Sequence, residues 1–118
     1  MIDEPGQLDI QIRSIDQATV LAVSGDLDSL TAPALTDAIG TTLAGQATSL
    51  IVDLSELDFL ASAGMTVLVQ GQEAATKNSK RFCVVANGPT TSRPMELVGL
   101  NTLLNLHRTL DAALKDAP

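Results

Sequence analysis

Along Leu8–Ser14, apolar Leu8, Ile10 and Ile12 alternate with polar Asp9, Gln11 and Arg13, the period-two pattern of a strand with one face towards a core. Asp16–Gln17 supplies a turn, and Ala18–Ser24 returns as a more continuously apolar strand through Val20, Leu21 and Val23, so the two predict a β-hairpin with the first strand at the sheet edge. Gly25–Asp26–Leu27–Asp28–Ser29 reads as a polar loop. Thr31 then caps a helix with Pro33 in its first turn, where a missing N–H is harmless; Leu35, Ala38, Ile39 and Leu43 recur at helical spacing, and Gly45 ends it.

The next run, Leu50–Leu54, is short and branched, as a buried strand should be, and carries the single acid Asp53. Ser55–Asp58 reads as a turn-like break, and Phe59–Leu60–Ala61 leads to Ser62. From Ala63 the spacing is helical: Met65, Leu68 and Gln72 share one side, with Val67, Gly71, Ala74 and Ala75 on the flank. Ser62 thus stands at a strand-to-helix junction, where a serine caps a helix by accepting from the Met65 N–H. Arg81–Ala86 is a further buried strand, Asn87–Gly88–Pro89 a turn, and Thr90–Gly99 a helix with Pro94 near its start and Met95, Leu97 and Val98 as apolar contacts. Leu103–Leu106 is a short last strand and Thr109–Lys115 a closing helix with Leu110, Ala113 and Leu114 inward.

A hairpin followed by helix–strand units predicts an α/β fold: a mixed four- to five-stranded sheet packed with about four helices, its crossovers right-handed. The 118 residues suit a single domain spanning 1–118. Function in such sheets gathers at the carboxyl ends of the strands. If the second and third strands are neighbours, Asp26, Asp28 and Asp58 form an acidic rim around Ser62. The net charge of −7 opposes nucleic acid and anionic membranes as partners. Asp3, Glu4, Pro5 and Gly6 stand where a signal peptide needs basic and then apolar residues, and the one cysteine, Cys83, permits no internal disulfide, so a cytoplasmic location is expected.

Candidate chemistry is sparse. A serine hydrolase is excluded because Leu60 holds the first glycine position of G-x-S-x-G, and the only histidine, His107, lies far along the chain. The acids match no metal-ligand spacing, Cys83 reads as a small core residue, and Gly64 and Gly71 read as close-packing positions in the absence of any phosphate-cradling glycine motif. No cofactor and no catalytic residue is expected. From the residues alone, Ser62 is either a plain cap or a modifiable hydroxyl at the positive end of a helix.

Gly25–Asp26–Leu27–Asp28, Val52–Asp53–Leu54–Ser55 and Phe59–Leu60–Ala61–Ser62–Ala63–Gly64–Met65, in that order, resemble the STAS domain, specifically bacterial anti-anti-sigma factors (anti-sigma factor antagonists). Gly88–Pro89, Pro94, Leu97–Val98–Gly99–Leu100 and the Leu110–Leu114 helix fit too, and Arg93–Pro94 through Leu100 is similar to actinobacterial members. The resemblance implies that Ser62 is phosphorylated by an anti-sigma factor, a serine kinase of the histidine-kinase-like ATPase type. The unmodified protein binds that factor and frees a sigma factor, and the phosphoprotein does not bind. It implies a monomer when free, not an enzyme, whose contact surface comprises Asp26, Asp28, Ser29, Asp58, Leu60, Ala61, Ser62, Ala63, Gly64 and Met65. The family motif reads acid-Ser-Ser/Thr-Gly; here Ala61 replaces the acid and Ala63 the second hydroxyl, leaving Ser62 and Gly64. Kinase recognition depends on the lost acid more than docking does. Two other readings stay open: a STAS scaffold that is never phosphorylated, and an α/β domain that binds a nucleotide or other anion at the Ser62 helix tip.

Overall fold

Antiparallel pairing opens the chain: β1 (Leu8–Ile15) runs against β2 (Ala18–Leu27), from Leu8 opposite Gly25 to Ile15 opposite Ala18. The computed structural model describes residues 7–116; the segment holding Asp3, Glu4, Pro5 and Gly6 lies outside them. Asp16 takes the left-handed conformation (φ 53°) in the tight turn, which an aspartate tolerates. β1 is the sheet edge, with Ile12 63% exposed. The loop placed at Gly25–Ser29 begins later than its polarity suggests, because Gly25, Asp26 and Leu27 still belong to β2. Gly25 has φ +95°, and a Cβ there would collide with the Gln7 carbonyl oxygen, so glycine lets β2 continue past the start of β1.

α1 (Ala32–Leu43) follows, burying Ala32, Leu35, Ile39 and Leu43. Thr31 occupies its cap position but its side chain does not cap; it works backwards instead, donating to the Asp26 carbonyl at 2.7 Å and accepting from the Asp28 N–H at 2.9 Å. β3 (Ser49–Leu60) is longer than expected. The Ser55–Asp58 break is strand, distorted by two register shifts against β2, one between Ala22 and Ser24 and one between Gly25 and Asp26. Each shift adds one residue to β3, so the buried positions step by three, Leu54, Leu57, Leu60, with Ser55, Glu56, Asp58 and Phe59 exposed between them.

The remaining elements are α2 (Ser62–Lys77), β4 (Arg81–Val85), α3 (Ser92–Leu97), a 3-10 turn (Leu100–Thr102), β5 (Leu106–His107) and α4 (Leu110–Asp116). Strands stand in chain order, β1-β2-β3-β4-β5, with every pair after the hairpin parallel. α3 is shorter than predicted. It ends at Leu97, two residues before the left-handed Gly99 (φ 82°), and of its apolar contacts only Met95 is buried, with Leu97 74% and Val98 64% exposed. The last strand is displaced to Leu106–His107.

Strand alternation divides the interior in two. Leu21, Val23, Leu50, Val52, Phe82 and Val84 face α1, α2 and Met95 in the main core. Ala18, Val20, Ile51, Cys83 and Val85 face Ala113 of α4 on the other side. α2 lies close on the main core through its glycines: a Cβ on Gly71 would stand 2.9 Å from the Phe82 ring, and one on Gly64 would stand 2.5 Å from Leu27 Cγ.

Candidate functional site

The tip of α2 is held from below by β2 and β3. Leu27 pairs with Leu60, and the Ala61 N–H donates to the Leu27 carbonyl at 2.9 Å, which carries sheet pairing one residue past β3. Ala61 is therefore extended (φ −95°, ψ 169°) and takes the cap position itself. Ser62 is the first residue inside the helix, not its cap. The Met65 N–H turns to the Ala61 carbonyl at 3.2 Å, as does the Gly64 N–H at 3.0 Å, and Ser62 contributes its carbonyl to Thr66 Oγ1 at 3.1 Å. With no structural duty assigned to it, the Ser62 hydroxyl stands exposed at the electropositive end of a 16-residue helix.

Two residues counted among the contacts belong to the core. Leu60 is 7% exposed and Gly64 is buried beneath the tip, against Leu27 and Leu60. Both anchor the junction and neither is surface. Leu60 was misplaced because the bulged strand turns it inward, a step that simple alternation does not foresee. Ser29 and Asp58 are exposed, while Asp26, Ala61, Ala63 and Met65 are half-buried around Ser62. Asp28 is committed to the loop: its Oδ1 accepts from the N–H of Leu30 at 2.9 Å and of Thr31 at 3.1 Å, an Asx turn that fixes the β2–α1 connection. β2 and β3 are neighbours, and their register sets Asp26 opposite Phe59, next to Asp58, while Asp28 is taken up by the loop.

Sequence reasoning missed the apolar part of the surface. Leu30, in the loop after β2, is 81% exposed, and Phe59, near the end of β3, is 51% exposed. On the other flank a groove of about 540 Å³ runs along α2 from Ser62 past Met65, Thr66 and Val69 to Glu73, closed by Val98 and Leu100. Period-two and period-3.6 patterns assign such residues to a core by default; only an exposed count after folding reveals them. His107 serves no base role here: it sits on β5, beyond β4 from β3, and its Nε2 lies 3.2 Å from Asp116.

An exposed hydroxyl at a firmly packed helix tip, with exposed apolar side chains on the preceding strand and loop, suits an α/β interaction module. Comparison with known proteins gives its family. The family model described as "Mlab, STAS domain" matches residues 10–116. The chain is 37% identical over 110 residues to the anti-sigma-F factor antagonist RsfB of Mycobacterium tuberculosis, covering 93% of this chain and 89% of that one. A crystal structure of an anti-sigma factor antagonist from Mycobacterium paratuberculosis superposes with a TM-score of 0.90 at 39% identity, covering 98% of each chain. The anti-sigma factor antagonist SpoIIAA, in its unphosphorylated form, shares the fold with a TM-score of 0.76 at 19% identity over 92% of this chain and 95% of that one. The chain belongs to the STAS domain family.

Proposed function

We propose that this chain, taken as one STAS domain over residues 1–118, is an anti-sigma factor antagonist: it docks an anti-sigma factor through the α2 tip, frees a sigma factor, and is switched off by phosphorylation of Ser62. The observation that carries the reading is the exposed Ser62 at the first position of α2, with exposed Phe59 three residues before it and exposed Leu30 in the loop after the neighbouring β2. The similarity to mycobacterial proteins bearing that name supports it. In this reading the protein is cytoplasmic, monomeric when free, and a substrate and binding partner, not an enzyme. Its partner is a serine kinase of the histidine-kinase-like ATPase type. No helix among the described residues is long and apolar enough to cross a membrane.

The switch acts on the interface and spares the fold. A phosphoryl group adds about −1.5 to −2 charge. At a helix N-terminus that charge is stabilising by about 0.3–1 kcal/mol. Enclosed in an apolar contact with no cation beside it, the same charge costs several kcal/mol. A loss of about 3 kcal/mol lowers affinity more than a hundredfold.

A second reading, a STAS scaffold that docks without being phosphorylated, is favoured by one feature: Ala61 and Ala63 stand where the kinase motif has an acid and a hydroxyl. Affinity capture from cell extract, with and without ATP, followed by phosphate mapping, separates the two. Capture of an anti-sigma factor with ATP-dependent phosphate on Ser62 supports the switch. Capture of the same factor with Ser62 unmodified supports the scaffold, and capture of none overturns both.

A further inference from the structure

On the face of the sheet opposite α2, three side chains from three elements converge: Cys83 of β4, His107 of β5 and Asp116 of α4. The Cys83 Sγ, a ring nitrogen of His107 and a carboxylate oxygen of Asp116 all lie within 4.8 Å of one another. Register accounts for the meeting. Cys83 and Val85 share the outer face of β4, and Val85 pairs with His107, which places His107 one strand over and one pleat along. Asp116 arrives from the last turn of α4, whose Ala113 packs in the same cluster as Cys83. Cys83 is buried, the His107 side chain is 19% exposed and that of Asp116 40%, so the cluster opens to solvent on one side.

We propose that Cys83, His107 and Asp116 form a Zn²⁺ site, with a water completing a four-coordinate shell. Thiolate, imidazole and carboxylate together suit zinc; magnesium and calcium prefer all-oxygen shells. The cluster already holds a cation. The Arg81 guanidinium donates to Asp116 at 2.6 Å. An ion entering the cluster takes over that charge, and the Arg81 side chain, 37% exposed, has room to turn into water. A cysteine thiol carries its proton at neutral pH. On binding, the S–H bond breaks, a Zn–S bond forms, and the proton leaves to solvent. The bound ion ties α4 to β4 and β5, away from the Ser62 tip.

The test uses the untagged, reduced full-length chain, with Zn²⁺ or Co²⁺ as the probe. The expected result is one ion per chain, a proton released on binding, a raised Tm with Zn²⁺ but not Mg²⁺, and a thiolate charge-transfer band with Co²⁺. Cys83→Ser and His107→Ala each weaken Zn²⁺ binding about tenfold or more, and Arg81→Gln strengthens it by removing the competing charge. Absence of Zn²⁺ uptake by the wild type, or equal uptake by wild type and His107→Ala, overturns the site. Should Cys83→Ser fail to fold, the wild-type cobalt spectrum decides: without a thiolate band, Cys83 is no ligand and the proposal falls.

Discussion

The two sides of the β3–α2 junction contrast sharply. Its underside consists of Leu27, Leu60 and Gly64, buried and close enough that one added methyl group would clash. Its upper side consists of Phe59, Ser62 and, across the loop, Leu30, all exposed. Core and surface residues interleave within a few positions of one another. The contrast teaches that the tip can be rigid and chemically available at once: the residues that hold it are not those it leaves exposed. On the proposed function, charge added on the upper side should change docking without reaching the core, and volume added on the underside should change the fold.

The largest expected loss of stability is from Gly64→Ala. Its Cβ would stand 2.5 Å from Leu27 Cγ and 2.9 Å from Leu60 Cδ1, and overpacking of this kind costs about 1–3 kcal/mol. Thermal melting should show a Tm lowered by several degrees; an unchanged Tm would mean that the underside is loose. Smaller in stability and confined to binding, Phe59→Ala and Leu30→Ala should each weaken anti-sigma factor binding about tenfold, as central apolar contacts do. Their Tm should match the wild type. Calorimetric titration checks the affinity, and wild-type affinity in both variants would move the docking surface elsewhere.

The smallest effect concerns Asp116. The Arg81 hydrogen bond depresses its carboxyl. By linkage, its contribution is present above the unfolded value, about pH 3.9, and lost as pH falls through the lower folded value. Because both side chains are well exposed, Asp116→Asn should lower Tm at pH 7 by about a degree or less, and less again in high salt. Melting with a chelator present keeps metal binding out of this comparison.

Much of this frame is legible in the residue pattern. The Leu8–Ile10 alternation and the helical spacing of Leu35, Ala38, Ile39 and Leu43 each report one periodicity undisturbed by tertiary context, whereas Ile12, in phase with the first, is 63% exposed on the edge strand. β3 is harder because its period changes within the strand: the bulges turn Leu54–Leu57–Leu60 into a step of three, which looks like a turn when strands are expected to step by two. The same misreading sent Leu60 to the surface. At Ser62 the residue type suggested a cap, but the backbone bond from Ala61 to Leu27 moved the helix start by one position. That bond joins distant parts of the chain, and local pattern does not carry it. The exposure of Leu97 and Val98 accompanies α3 stopping at Leu97, short of the expected end at Gly99. Cys83, His107 and Asp116 share no motif; strand pairing and α4 packing alone bring them together.

The most direct test compares wild type and Ser62→Asp side by side, measuring Kd for the anti-sigma factor and Tm on the same preparations. An aspartate at the first helical position is favourable by about 0.3–1 kcal/mol, so Tm should hold or rise slightly. Affinity should fall about a hundredfold or more. Equal Kd values for the two proteins, or a loss of affinity accompanied by an equal loss of stability, would contradict a switch located on the surface of an undisturbed fold.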